Sequence, residues 1–551
     1  MPTEDGKQGR RSRRMPPVLA LVGGLVLSAL AAQACAGAPR TPPALRPVAP
    51  APAPAPPPPA DDAEGRLPRL AAPVAYDIAL RIDPAKETFS GSVAIQVDVA
   101  QSTHALVLHA RDLKVSRARA VLGPLVVAAT TTPRTARDAS SPEELVLTFV
   151  EPLPAGPARV EIEYEAPFGH ELAGLYRVEE GGRFYVFSQF EATDARRAIP
   201  CFDEPAYKAP MTVALTAPRG LVALGNMPEV SAEDAGGDMV THRLLPTPPL
   251  PSYLLAFAVG DLELAEGRKT PVPIRVVTTK GHAGLAGSAL EATDALVTRL
   301  GEYFDLPYPF AKLDLVAVPD FAAGAMENPG LLMFRDVLLL QDPARVTTGL
   351  RRSLAVTIAH ELAHQWFGDL VTMQWWNDLW LNEGFATWAE AKVVDAWKPS
   401  FGATLDQVAY AGHVMDTDAL ASARAVREPV RSTGDAKEAF DGLTYDKGAA
   451  VLRMLEGWLG PDTFRRGVQR YLKTYAWKSA SAENLFQSLD YVSSQKIDEF
   501  AAGFLDRPGV PQVTAHLVCS AGKSTLELRQ SQWRPLGEPA GASSTWTLPV
   551  C

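Results

Sequence analysis

The chain has 551 residues, 47% of them hydrophobic, and a formal net charge of −10. That length exceeds what one hydrophobic core organises, so three or four domains are expected. Residues 1–34 are net positive, while the remainder is acidic with no extended basic run, which argues against nucleic acid as a partner.

Residues 1–34 read as an export leader, with Arg10, Arg11, Arg13 and Arg14 preceding an uncharged apolar stretch over 15–34. Ala32-Gln33-Ala34-Cys35 suits a small-residue cleavage site and also resembles a bacterial lipobox, although Ala32 stands where that motif favours Leu. Three outcomes stay open: lipidation of Cys35 and membrane attachment through it, an uncleaved anchor, or cleavage and release. Each implies an exported protein of the bacterial cell envelope, periplasmic or membrane-anchored. Residues 35–65 are rich in Ala and Pro and predict a polyproline II spacer, a composition that an unanchored linker shares.

Alternation dominates next. Val93, Ile95, Val97 and Val99, and later Val160, Ile162 and Tyr164, alternate with small or polar residues, which predicts an antiparallel, mostly β domain over 66–265. Within it, Gln189-Phe190-Glu191-Ala192-Thr193-Asp194-Ala195-Arg196-Arg197 leads into Pro200-Cys201-Phe202-Asp203-Glu204-Pro205. Asp203-Glu204 beside Arg196 and Arg197 reads as a structural ion-pair site. Beyond Pro271 longer helical segments appear, at 284–304, at 353–366 and after Gly384.

Gly324-Ala325-Met326-Glu327-Asn328 precedes His360-Glu361-Leu362-Ala363-His364, and Glu383 follows after eighteen residues. Two histidines four apart share one helix face, so both imidazoles reach one metal ion with Glu361 held beside it. Glu383 completes a two-histidine, one-carboxylate set that leaves the fourth position of a tetrahedral zinc for water, the layout of a catalytic site. Trp366, Trp375, Trp376, Trp380 and Trp388 around these helices read as packing that fixes the ligands. Tyr445-Asp446-Lys447-Gly448-Ala449 closes the series.

Taken together, these motifs resemble the aminopeptidase N family of zinc metallopeptidases, with a GxMEN segment, HExxH and a distant Glu in family order over about 68–550. The resemblance implies a multidomain α+β architecture: an N-terminal antiparallel β domain (66–265), a thermolysin-like zinc catalytic domain (266–505) and the start of a small C-terminal β domain (506–551). It implies one Zn2+ per chain on His360, His364 and Glu383, Glu361 as general base, and Tyr445 as the donor that stabilises the oxyanion. By the same analogy Glu327 and Glu191 bind the free α-ammonium of a peptide, the backbone near Gly324 and Ala325 pairs with it, and Gln189 and Met326 line the first side-chain pocket. The partners expected are therefore peptides with a free N-terminus.

After Gly509 strand-like runs return at 513–518, 525–530 and 545–550, too few for an independent sandwich. Relatives usually continue further, so a truncated sequence is expected here, with a short form as the alternative. Cys519 and Cys551 either form a disulfide or remain thiols, and spacing does not choose between them. Two rival functions remain. One is an aminopeptidase relative with epoxide hydrolase chemistry, which Ala325 disfavours because that branch usually carries Gly there; the other is a tethered binding protein on an inactive scaffold.

Overall fold

The computed structural model describes residues 65–136, 139–268, 272–520, 522–537 and 544–549. The leader, Cys35, nearly all of the spacer and Cys551 lie outside the described residues, so the readings made on them, the disulfide included, have no structural counterpart here. No helix among the described residues is long and apolar enough to cross a membrane.

The alternating runs fold as neighbours. Thr88–Val99 and Gly156–Pro167 pair antiparallel with Val93 opposite Ile162 and Ile95 opposite Val160, all four buried. A period of two fixes this register, since it turns the apolar set inward and leaves Gln96, Asp98, Glu163 and Glu165 in water. Ten described strands make up the sheet. One pairing departs from the antiparallel expectation: Ala71–Arg81 runs parallel to Met211–Pro218, with Tyr76 opposite Met211. The chain forms six further strands of the same sheet and two of a second sheet before returning to that position, and so long a connection lets a strand enter in parallel.

The second sheet joins Val222–Gly225, Phe257–Gly260, Arg183–Gln189 and Gly174–Glu180 in that spatial order. Its two faces serve different cores. Leu175, Val186, Phe257 and Val259 pack toward the ten-stranded sheet, while Tyr176, Val178, Tyr185, Phe187 and Ala258 pack into the core of the region that follows. Each large apolar side chain so buried is worth about 1.5–3 kcal/mol, so the wall belongs energetically to both sides.

The following region begins with a mixed sheet in the order Leu262–Glu266, Ile274–Thr279, Leu313–Val318, Leu331–Arg335 and Ala325–Met326. The helix Gly287–Phe304 crosses between the parallel strands Ile274–Thr279 and Leu313–Val318, burying Ala289, Ala292, Thr293, Leu296, Val297, Leu300 and Phe304 at helical spacing. Against it lies the helix Thr348–His364, capped by the Thr347 side chain accepting from Leu350 N at 3.2 Å. Trp380–Trp397 is buried on nearly all sides, as a helix inside a bundle must be. Phe367, just past the first of these helices, stacks on Phe385 of the second with centroids 4.1 Å apart.

The tryptophans pack as expected, and Trp366, Trp375 and Trp388 donate to Leu306 O, Val430 O and Glu456 Oε2. Arg196 pairs with Asp203 at 2.9 Å and Glu143 at 3.0 Å, whereas Arg197 turns away to Asp194 and Glu171. At the C-terminal end Val510–Ser520 and Lys523–Trp533 form an antiparallel hairpin. The third strand expected at 545–550 does not form among the described residues 545–549. Instead Trp546 inserts into the helical core, and the Gln530 side chain takes both backbone groups of Trp546, which removes them from strand pairing.

Phe367→Ala should cost about 3–5 kcal/mol, the range for emptying a buried aromatic site, while Leu405→Ala, on a side chain 75% exposed, should stay within about 0.5 kcal/mol. Denaturant unfolding monitored by tryptophan fluorescence measures both, and equal effects would contradict the core described.

Candidate metal centre and active site

Helical spacing puts His360 and His364 one turn apart, with ring centroids 4.7 Å apart. Glu383, in the first turn of Trp380–Trp397, reaches between them: its Oε2 lies 3.2 Å from His360 Nε2 and 3.3 Å from His364 Nε2. One ligand atom from each of the three falls within 4.8 Å of the other two. The outer nitrogens are engaged as well. His360 Nδ1 is 2.7 Å from Glu390 Oε2 and His364 Nδ1 is 3.0 Å from Phe367 O, which fixes both rings with Nε2 turned inward.

Electrostatics point the same way. Burial works against protonating the imidazoles, yet the surrounding carboxylates outweigh it; Glu327 and Glu383 push His364 up to about 9. Hydrogen bonds to Glu383 and Glu390 likewise raise His360 well above the ordinary imidazole range. Burial also opposes ionisation of Glu383, but the two histidines hold it down to about 2. The three groups together favour positive charge at the point they enclose, and two imidazoles with one carboxylate are donors suited to a hydrolytic zinc.

Around this set opens a cavity of about 360 Å³ whose lining includes Gln189, Glu191, Ala325, Glu327, Glu361 and Tyr445. Glu361 follows His360 on the helix and is buried; desolvation, reinforced by Glu327 and Glu383 against the pull of the histidines, pushes it up to about 8. Glu191 extends from the end of the wall strand Arg183–Gln189. Burial, then Glu327 and Glu383, raise its carboxyl well above the usual range. Glu327 is raised by burial too, and Glu191 Oε1 and Glu327 Oε1 are both buried without a hydrogen-bond partner. Orphaned, buried carboxylate oxygens beside a cavity call for a cationic donor.

The strand Ala325–Met326 occupies an edge of the mixed sheet, pairing only through Ala325 opposite Phe334 and Met326 opposite Met333 among the described residues. Alternation turns Ala325 and Glu327 to the cavity and Met326 the other way. The expectation that Met326 lines the pocket is therefore corrected: it is 1% exposed and backs Gln189, whose Nε2 lies 3.4 Å from its sulfur. Gly324 does not line the cavity either, and its carbonyl is taken by Arg335 N at 2.9 Å.

Tyr445 lies in a π-helical turn, Leu443–Lys447, and stacks on His360 with centroids 5.9 Å and planes 11° apart. Such a turn offsets the side chain from ordinary helical phase, which is how it reaches the cavity. Burial and the nearby carboxylates, Glu383 first, raise its phenol well above the usual range, so it remains a donor. Sequence reasoning did not reach what holds these parts. Glu390, seven residues and two turns after Glu383, was legible in principle as a same-face carboxylate. Gln365, which donates to Glu327 O at 2.7 Å and Glu361 O at 3.2 Å, carried no signal. Nor did Gly384 and Gly448: a Cβ on Gly384 would stand 3.1–3.2 Å from the Gly448 backbone, so glycine here lets the Glu383 helix approach the one following Tyr445.

Comparison with known proteins agrees with this layout. The family description "Peptidase M1 N-terminal domain" matches residues 72–254, and "Peptidase family M1 domain" matches 288–504. Aminopeptidase M1-C of Oryza sativa subsp. japonica is 38% identical over 492 residues, covering 88% of this chain and 55% of the relative. Aminopeptidase M1 of Arabidopsis thaliana is 35% identical with the same coverage. Endoplasmic reticulum aminopeptidase 1 of Homo sapiens is 36% identical over 440 residues, covering 77% of this chain and 46% of that protein. The chain spans about half the length of the curated relatives it matches. With both family domains matched in order and the His-His-Glu set inside the second, the chain belongs to peptidase family M1, the aminopeptidase N family that its motifs resemble.

Proposed function

We propose that this chain is a zinc-dependent aminopeptidase that removes N-terminal residues from peptides, with residues 1–34 directing it to the bacterial envelope. The observation that carries this reading is the pair of orphaned, buried carboxylates, Glu191 and Glu327, next to the three-ligand set. A free α-ammonium between them supplies the donors they lack and offsets their repulsion, whereas an acylated or internal nitrogen brings no charge. The anchor therefore counts one residue from the chain end.

His360, His364 and Glu383 would hold the metal, which when bound supplies a Lewis acid and an acidified water at neutral pH. Glu361, buried beside His360 on the same helix, takes the water proton and delivers it to the departing amine. The Tyr445 hydroxyl donates to the carbonyl oxygen as negative charge builds there, a contribution of about 3–4 kcal/mol for a well-placed donor. The free edge of Ala325–Met326 offers backbone groups to an extended substrate, with Ala325 at the cavity and Gln189 along its side.

Chelation should abolish hydrolysis of an aminoacyl reporter and zinc should restore it. Glu361→Gln should bind zinc as the parent does yet lose at least about 10²-fold in turnover, the range for removing a general base; near-normal turnover would sink the assigned mechanism. An N-acetylated peptide should be a very poor substrate, and Glu327→Ala should lose about 2–4 kcal/mol in kcat/KM on free-amine peptides with zinc retained. Internal cuts in a long peptide, mapped by mass spectrometry, would overturn the amine anchor.

Metal must displace the protons on His360 and His364, both held above the ordinary imidazole range, so apparent zinc affinity should rise with pH across the neutral and mildly alkaline range. The slope should reach about tenfold per pH unit for each proton displaced. Glu383, held at about 2, is ionised throughout and adds nothing to this dependence. Chelator competition between about pH 6 and pH 10 reads this slope, and an affinity flat over that interval would contradict it.

A further inference from the structure

The carboxylates Glu171, Glu191, Asp194, Glu327, Glu361 and Glu383 line the catalytic cavity; Lys437 is the one lysine or arginine among the described residues on that lining, while Arg197 pairs with Glu171 and Asp194 from outside it. The partner of Lys437 is Asp194, at 3.5 Å. That contact is longer than a hydrogen bond, and Asp194 already holds Arg197 Nε at 2.7 Å, so the aspartate is neutralised without the lysine. The Lys437 side chain is half exposed, and an ion pair of that kind contributes little to holding it in place. Its flexible four-carbon stem ends in a compact charge that can turn to a second acceptor at small cost.

On the aminopeptidase reading above, we propose that Lys437 is a specificity-determining residue that receives a carboxylate of the peptide downstream of the cleaved bond. The α-ammonium is fixed between Glu191 and Glu327, so a carboxylate meets Lys437 only at a set number of residues along an extended chain, about 3.3–3.6 Å each. The chemistry fits either the C-terminal carboxylate of a short peptide or an acidic side chain in a longer one. Without the lysine, the carboxylates of the lining repel both.

The test uses the full chain and a series Leu-Gly, Leu-Gly-Gly and Leu-Gly-Gly-Gly, each as free acid and as C-terminal amide. The ratio of kcat/KM for acid over amide should peak at one length at about 5–10-fold, fall to about one or below in Lys437→Met, and return in large part in Lys437→Arg. Because each ratio is taken within one protein, loss of folded enzyme cancels. Leu-Glu-Gly-amide against Leu-Gln-Gly-amide separates an acidic side chain from the C-terminus as the group bound. A ratio with no length dependence, or one unchanged in Lys437→Met, overturns the assignment to Lys437 while leaving the aminopeptidase reading intact. Absence of hydrolysis of these peptides and of a neutral aminoacyl reporter alike would overturn that reading, and this one with it.

Discussion

Four carboxyl groups, Glu191, Glu327, Glu361 and Glu383, share one desolvated space, and their mutual repulsion is the constraint to which the rest of the site answers. In water such groups ionise almost independently. Buried together, each raises the others unless positive charge is brought in. Only Glu383, gripped by two imidazoles, is driven down. In the proposed reaction two cations relieve the remainder, a metal at the histidines and an ammonium at the orphaned oxygens, and each sits where the chain leaves a donor missing. Stored repulsion of this kind favours function over stability, a common feature of active sites.

Holding such a cluster together falls to groups with no chemical role. Glu390 and Phe367 O set the imidazole rings, and Gln365 ties the backbone of Glu327 to the helix that carries Glu361. Asp441 accepts from the backbone of Leu443 and Thr444 while Arg424 pairs with it, which fixes the start of the turn bearing Tyr445. The contact between Gly384 and Gly448 sets the spacing of two helices by the absence of side chains. The parts that react and the parts that aim them thus lie on different elements.

What was legible in the sequence follows from what is periodic or local. The alternation at Val93–Val99 and Val160–Tyr164 encoded both strands and their shared buried face, and a spacing of four encoded the convergence of His360 and His364. Glu383 was placed by motif, and the proposed amine-anchor roles of Glu191 and Glu327 came from family resemblance. Contacts between distant segments left no trace: the parallel pairing of Ala71–Arg81, the glycine contact, and Gln365 under Glu327 each depend on tertiary approach. Met326 was misjudged because a motif names neighbouring residues as a unit, whereas a strand sends neighbours to opposite faces. The run at 545–550 looked like a strand but had a tryptophan whose burial outweighed a third ladder.

The wall sheet has a further consequence. Glu191 follows one of its strands by two residues, the wall's far face joins the same hydrophobic core as the helices that carry His360, His364 and Glu383, and its near face is locked into the ten-stranded core. On the proposed reading, the interval from amine anchor to scissile bond is a gauge length set at the junction of two hydrophobic cores. Loosening that junction would blur the gauge before it silenced the catalyst. Damage far from the cavity, on the solvent-shielded side of the wall, would then show itself first as cuts made at the wrong bond.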